Sequence, residues 1–411
     1  MMNKRPGKTE APARPLDGVT VVEVGVWHAG PGAGAILGDL GADVIKIESL
    51  DGDPERFEAG SAVLKSQAID TEDWSLMFEL SNRNKRGLAL DLSSREGRDI
   101  VMRLAEGADV FLTNLRPAST RKLGIDYESL KKVNRGLVHV NVTGFGSRGP
   151  LAEQGAFDTL GQAMAGMFHV TGHDVPQPLP VVVLDQLTAQ TAAQATVTAL
   201  LARERQGGEG QDVHVSLYGS GALLWSAQLL WQSALGTAPI VTYDRMQKSP
   251  LMAVYRCQDD RWIVGTNPGR KLWPAFCDAI GAPQLSDHEW DVEDRASQMA
   301  MYAVIDPLLL ARPAEAWIKE LRSRGLLYAP VQDFAQVLDD PQAAANGYVV
   351  DATHPRLGEL KLPGSPVVFG RQETAGWKPA PGHGEHTDEI LQGLGLGAEE
   401  IADLRARKVI A

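Results

Sequence analysis

Cysteine is almost missing from this chain: 411 residues contain two, Cys257 and Cys277. Their positions give neither a disulfide framework nor metal-ligand spacing, so reduced thiols in a cytosolic protein are expected. A basic balance is missing as well. The formal net charge is −12, which argues against nucleic acid or an anionic membrane surface as the main partner. It leaves room for a small anionic ligand at local basic clusters. No run approaches the ~20 apolar residues that a membrane span requires. The opening "MMNKRPGKTEAPARP" is polar and proline-bearing, without the apolar segment of a targeting signal, so residues 1–15 read as a disordered lead-in. His28, His139, His169, His173 and His214 are scattered through the sequence and give no metal signature. Neither a P-loop nor a Ser/His/Asp nucleophile elbow is found. These absences leave a soluble, cytoplasmic globular protein with no metal site.

What is present is an alternation of strands and helices. The length exceeds what one hydrophobic core usually serves, so two domains are expected. "VTVVEVGV" (19–26), "DVIKIE" (43–48), "VFLTN" (110–114) and "LVHVNVTGFG" (137–146) read as buried strands. Helical segments lie between them at 33–42 and 93–109, the second with a capping box from Ser93 and Glu96 and a face of Ile100, Val101 and Leu104. The pattern predicts an α/β fold, a parallel sheet with helices on both faces. A tryptophan-richer texture sets off residues 225–330 as a smaller α+β domain. Residues 16–224 and 331–411 then form the large domain.

Four stretches carry candidate chemistry. In "GVWHAGPGAGA" (25–35), Gly30, Gly32 and Ala35 match the dinucleotide spacing, and Glu48 ends the next strand where a ribose-binding acid would sit. A bare glycine turn and a different phosphate ligand at the helix N-terminus are the other readings. Trp27, His28 and Pro31 crowd a dinucleotide. Lys85, Arg86, Arg116, Arg121 and Lys122 form a basic set near strand ends, which suits either a phosphate-rich ligand or a solvated surface. Asn114 sits where a strand ends, the place ligands occupy in open α/β sheets. Asp158, in "GAFDTLGQAM", either caps the helix from Thr159 or faces a ligand. Asp185 closes the run "LPVVVLD". As an N-cap it would begin the helix at 186–205; as an ionised carboxylate in an apolar pocket it would be a competent nucleophile.

Taken in order, "PLDGVTVVEVG", "HAGPGAGAILGDLGADVIKIE", "NKRGLALDL", "ADVFLTNLRP", "LGIDYESLKKVN", "TGFGSRGP", "GEGQDVHVSL" and "GEHTDEIL" resemble the class III CoA-transferases, the family of formyl-CoA and carnitine CoA-transferases. The resemblance spans nearly the whole chain. It implies a large Rossmann-like domain, a smaller domain and an interlocked dimer of ring-shaped chains. Asp185 is the position that matches the family's catalytic aspartate, which follows a short apolar strand and opens a long helix. The resemblance places contacts to coenzyme A or acyl-CoA, bound as substrate, at Trp27, His28 and Ala29, at Leu90, Asp91, Leu92 and Ser93, at Asn114, Leu115 and Arg116, at Lys122, and at Phe157 and Asp158. It implies no tightly bound cofactor, and a carboxylic acid as the second substrate. Implied by the same resemblance is a relay of aspartyl anhydride and aspartyl-CoA thioester, with backbone N–H groups at the start of the helix stabilising the oxyanions. The chain departs from the family pattern in three places. "YDRMQKSPLM" stands where several members have a glycine run, Leu184 and Ala189 flank Asp185 in place of glycines, and His214 occupies a position where an acid is common. The related α-methylacyl-CoA racemases place a histidine directly before the acid that aligns with Asp158; Phe157 is there instead. A non-catalytic CoA-binding subunit is the reading from outside the enzymes, and Asp185 argues against it.

Overall fold

The computed structural model describes residues 14–58, 74–171, 175–237, 244–267, 269–288 and 290–411. Most of the expected lead-in, and His173, lie outside them. Two compact units make up the chain, Met1–Pro239 with Val350–Ala411, and Ile240–Val349.

The large unit is built on six strands: β1 (Thr20–Val24), β2 (Asp43–Glu48), β3 (Lys85–Ala89), β4 (Val110–Thr113), β5 (Val138–Thr143) and β6 (Asp212–Ser216). They pair in the order β3-β2-β1-β4-β5-β6, and every pairing is parallel. The strand residues alternate between two cores. Val22 and Val24 join Ile100, Val101 and Leu104 of helix Arg95–Gly107 on one face. Val21 joins the helix Ala29–Asp39 (α1) and the long helix Val183–Arg205 on the other. Both faces are therefore covered, which is why the strands read as unbroken Val/Ile/Leu runs. Because the strand order reverses between β1 and β4, the loops after those two strands diverge and open a crevice at the carboxyl edge of the sheet.

Three local expectations change. Helix Arg95–Gly107 is capped by Ser94, whose Oγ accepts the Gly97 N–H at 2.9 Å, while Ser93 turns its hydroxyl to Asp91. Helix α1 starts at Ala29, four residues before the expected 33; Pro31 is tolerated there because the first turn has no intrahelical partner for its missing N–H. "LPVVVLD" forms no strand. No sheet edge receives it, Val181 and Val182 stay exposed, and the helix begins at Val183.

The small unit holds an antiparallel sheet of β7 (Val254–Arg256), β8 (Trp262–Gly265) and β9 (Tyr328–Val331), packed with helices Trp273–Ala279, Arg295–Leu309 and Ala314–Ser323 around a core rich in Trp, Tyr and Phe. Its limits fall later than the expected 225–330. Helix Ser226–Leu235 follows directly on helix Leu217–Leu224 and stays with the large unit, whereas two short helices after β9, Phe334–Leu338 and Pro341–Ala345, stay with the small one. Among the described residues, no helix is long and apolar enough to cross a membrane.

Candidate active site

The crevice at the β1/β4 switch is a cleft of about 550 Å³. After β1 it is lined by Val26, Trp27, His28 and Ala29, and after β4 by Asn114, Leu115, Arg116 and Pro117. Thr143 ends β5 and Gly144 follows it, residues 154–157 close one side, and Asp185 reaches in from the long helix.

Asn114 holds the first two walls together. Its Oδ1 accepts the Val26 N–H at 3.0 Å, and its amide donates to the Val26 carbonyl at 2.6 Å. A β-carbon on Gly25 or on Gly30 would sit 2.9 Å from the Asn114 side chain, and one on Gly32 would sit 3.1 Å from Cβ of Ala189. The glycines of the "GPGAG" stretch thus serve close packing inside the protein. Gly30 and Gly32 lie within α1 rather than in an open turn, so the dinucleotide match does not form the loop it needs. Glu48 is likewise engaged: Arg56 binds it through two nitrogens at 2.8 and 2.7 Å, and the Asp53 N–H donates to it.

Trp27 adopts a left-handed backbone (φ 63°). That uncommon conformation for a bulky residue is held by its N–H bond to Asp53 Oδ1 at 3.1 Å. Its ring meets Phe157 edge-on, with centroids 5.5 Å apart. His28 is buried between two elements, with Nδ1 2.7 Å from Ser81 Oγ and Nε2 2.9 Å from Gln186 Oε1. Burial lowers its pKa, so the ring is neutral. Beneath the loop lies a buried charge cluster. Lys46 bonds Asp53, Glu23 and the Gly25 carbonyl, and Lys85 bonds Glu23, Asn82 and the Pro31 carbonyl. Desolvation dominates at Lys85 and lowers it to about 8, whereas at Lys46 the surrounding carboxylates outweigh desolvation and raise it.

Asp185 does not cap its helix. The cap position is Val182, which has no side-chain acceptor; Asp185 lies in the first turn, half-buried. Burial, and then the neighbouring Asp158, push its pKa up to about 7. The helix is capped from outside by Asp158, whose Oδ1 accepts the Leu184 N–H at 2.7 Å and the Asp185 N–H at 3.0 Å. Asp158 therefore caps neither its own helix, Asp158–Met164, nor a vacant site; Gln162 donates to its other oxygen. Those two backbone N–H groups are consequently not free to stabilise an oxyanion.

Of the residues singled out above, Trp27, His28, Ala29, Asn114, Leu115, Arg116, Phe157 and Asp185 meet in this cleft. The others do not line it. Leu90 is fully buried and bridges to Ile410. Asp91 accepts two bonds from Ser93, Leu92 packs on the core, and Ser93 and Lys122 are exposed. Leu90 to Ser93 still follow β3 at the same carboxyl edge of the sheet. Within the basic set, Arg86 pairs with Asp43 and Glu389, and Arg121 with Glu153. Arg116 is the one of the five that lines the cleft. Two histidines scattered in sequence come together at the opposite edge, where Asp212 bonds His139 at 2.7 Å and His214 at 3.0 Å. Burial works against ionisation there, but these two bonds hold the Asp212 carboxyl below the usual range. Among the described residues no group of three or more His, Cys, Asp or Glu side chains is arranged to hold a metal. Gly155 and Leu217, which also line the cleft, lie inside quoted stretches without a signal of their own, and Ser81 and Gln186 meet His28 only through contacts across the fold.

The model for CoA-transferase family III matches residues 16–387. The chain is 31% identical to an (R)-2-hydroxy-4-methylpentanoate CoA-transferase of Clostridioides difficile, over 96% of this chain and 99% of that one. It is 33% identical to an acetyl-CoA:oxalate CoA-transferase of Acetobacter aceti, over 87% and 89%. Among solved structures, a protein from Brucella suis described as a CAIB/BAIF family member superposes with a TM-score of 0.81 at 28% identity, over 93% of this chain and 99% of that one.

Proposed function

The chain belongs to CoA-transferase family III and is a CoA-transferase, and from that premise we propose that it moves CoA from an acyl-CoA to a carboxylic acid through covalent intermediates on Asp185. The observation that carries this reading is the position of Asp185: a half-buried carboxylate, without a side-chain hydrogen-bond partner among the described residues, in the same cleft as the loops after β1 and β4. Its raised pKa means a more basic, more nucleophilic oxygen that is still substantially ionised near neutral pH.

In the proposed sequence, Asp185 attacks the donor thioester carbonyl. The carbon–sulfur bond breaks, leaving an acyl–aspartyl anhydride and CoA thiolate. The thiolate attacks the aspartyl carbonyl and releases the first acid. The acceptor carboxylate then displaces CoA as a new anhydride forms, and a last attack by the thiolate returns the carboxylate of Asp185. Each step exchanges acyl groups of similar energy, so the protein's work is to position them and exclude water. Trp27, His28, Ala29, Asn114, Leu115 and Phe157 would hold the coenzyme in the cleft, with Arg116 toward its phosphates. Leu90 to Ser93 and Lys122 would extend the contact along the carboxyl edge, Leu90 through its backbone only. Asp158 would act by seating the helix start.

An interlocked dimer is part of the proposal. It is supported by apolar side chains left open on the helices Leu217–Leu224 and Ser226–Leu235, among them Leu223, Leu230, Trp231 and Leu235 at 64%, 69%, 51% and 62% exposure. So large an apolar face is unusual on a monomer. The relatives above act on acids as different as oxalate and a branched hydroxy acid. The experiment is therefore a transfer screen: purified protein, an acyl-CoA donor and a panel of carboxylic acids, with new thioesters read by mass spectrometry. Proton exchange at the α-carbon with no CoA transfer across the panel would replace this reading with a racemase.

A further inference from the structure

Three side chains grip the backbone turn that carries Trp27. The Lys46 ammonium donates to the Gly25 carbonyl at 3.0 Å, Asn114 holds both polar groups of Val26, and Asp53 Oδ1 accepts the Trp27 N–H at 3.1 Å. Asp53 is 1% exposed and Lys46 fully buried, and a 2.9 Å ion pair between Lys46 Nζ and Asp53 Oδ2 joins them. The turn is thus fixed from below as one unit. It holds Trp27 at φ 63°. A bulky residue keeps such a backbone only where its surroundings over-determine it, and such residues gather at functional sites.

What the turn presents is the Trp27 ring, edge-on to Phe157 with centroids 5.5 Å apart. Both residues line the cleft that Asp185 enters. Each ring belongs to the residue just before one that grips the start of the Asp185 helix. His28, after Trp27, meets Gln186 Oε1 through Nε2 at 2.9 Å; Asp158, after Phe157, accepts the Asp185 N–H at 3.0 Å. The aromatic pair is therefore tied from both of its sides to positions 185 and 186. Two apolar rings in contact leave water little to bond to, and they do so beside the carboxylate that becomes acylated.

We propose that the Trp27–Phe157 pair shields the acylated Asp185 from water, and that Asp53 is the positioning residue that holds the pair. This rests on the covalent reading of Asp185. The aspartyl-CoA thioester of that reading is open to hydrolysis. The water oxygen bonds to the aspartyl carbonyl carbon, the carbon–sulfur bond breaks, and the protons of water go to the thiolate and to solvent. Asp185 returns as a carboxylate. One donor thioester and one water have then become one free acid and one free thiol, with nothing transferred. Keeping water out is thus a task separate from aligning the reacting groups. An edge-to-face contact favours the closed arrangement by up to about tenfold, so its loss shows in how a turnover ends.

The test is the share of consumed acyl-CoA that ends as free CoA rather than as a new thioester. It is measured at saturating acceptor, with the donor–acceptor pair that transfers fastest in the panel above, by a thiol reagent and mass spectrometry. Phe157→Ala should raise the hydrolysed share by up to about tenfold. Phe157→Tyr keeps the ring and should leave the share at its native value; Phe157 is 60% exposed, so both changes spare the core. Trp27→Gly suits the left-handed backbone and keeps the N–H to Asp53, and it should act as Phe157→Ala does. Asp53→Asn has one oxygen for the donors from Trp27, Glu55 and Lys46. It should raise the share in the native background and raise it no further in Trp27→Gly. A variant that merely folds less well loses transfer and hydrolysis together, which leaves the ratio unmoved. A hydrolysed share unchanged in Phe157→Ala, or raised equally in Phe157→Tyr, overturns the shield. No rise from Asp53→Asn, or a rise just as large in Trp27→Gly, overturns the role of Asp53. Asp185→Asn should silence transfer and hydrolysis alike; transfer that persists there removes the covalent reading instead.

Discussion

The carboxylate of Asp158 accepts the backbone N–H of Asp185 at 3.0 Å and of Leu184 at 2.7 Å. One acid thus seats the helix that presents the other, and the same proximity raises the pKa of Asp185 beyond what burial alone would do. Of the two roles competing for Asp185 in the sequence, capping falls to a residue twenty-seven positions away, and the chemistry is what we propose for Asp185.

Asp185→Asn should abolish CoA transfer, because the amide cannot form the anhydride, and leave CoA binding intact. Incubating the native enzyme with acyl-CoA and then hydroxylamine should mark the peptide containing Asp185 as a hydroxamate. Label on Asp158 instead would move the nucleophile.

The same substitution has a pH signature in stability. A carboxyl whose folded pKa is about 7, above its usual value of 3.8, favours folding below the usual value, and that contribution is lost as pH rises through about 7. The melting temperature of the native enzyme should therefore fall relative to that of Asp185→Asn between about pH 4 and about pH 8. Paired calorimetric scans that stay parallel over this range would contradict the raised pKa.

Asp158→Ala removes an acceptor from two backbone N–H groups and should cost about 1–2 kcal/mol. Asp158→Asn keeps an acceptor and should cost less. Both remove the negative charge beside Asp185, so the alkaline rise of kcat/KM should move to lower pH. A denaturant titration and a pH–rate profile of the two variants check these outcomes together.

Gly34→Ala is a small change in a helix, a setting where alanine ordinarily stabilises. Here the added carbon would collide with Glu23 Oε2 and sit 3.2 Å from Lys85 Cε, forcing apart the buried Glu23–Lys85 pair. A loss of at least about 3 kcal/mol is expected, measured by urea unfolding.

Asn114→Ala should loosen the Val26–Trp27 loop by removing both bonds to Val26. A stability loss of about 1–3 kcal/mol and weaker CoA binding by calorimetry are expected, with no gain of NAD(P) binding. Tight NAD(P) binding by the native protein would restore the dinucleotide reading of the glycine stretch.

The sequence by itself determined the fold class and the position of the cleft. Runs such as "VTVVEV" and "DVIKIE" can be buried on both faces only in a covered parallel sheet, and residues following strands in such a sheet gather at one edge. That is why Asn114 and Arg116 were legible as strand-end residues; that Trp27 and His28 join them was what the family resemblance implied. What it did not determine was which bond each polar group makes. The run before Asp185 looks like a strand by composition, but no sheet edge receives it. The glycines of "GPGAG" match a phosphate loop by spacing, yet Asn114 and Ala189 are what they accommodate. Ser81 and Gln186 carry no local signal at all and become partners of His28 only because three segments converge on it. Periodicity and composition record which residues must leave water; the pairing of buried polar groups depends on distances across the fold, and only the tertiary structure sets those.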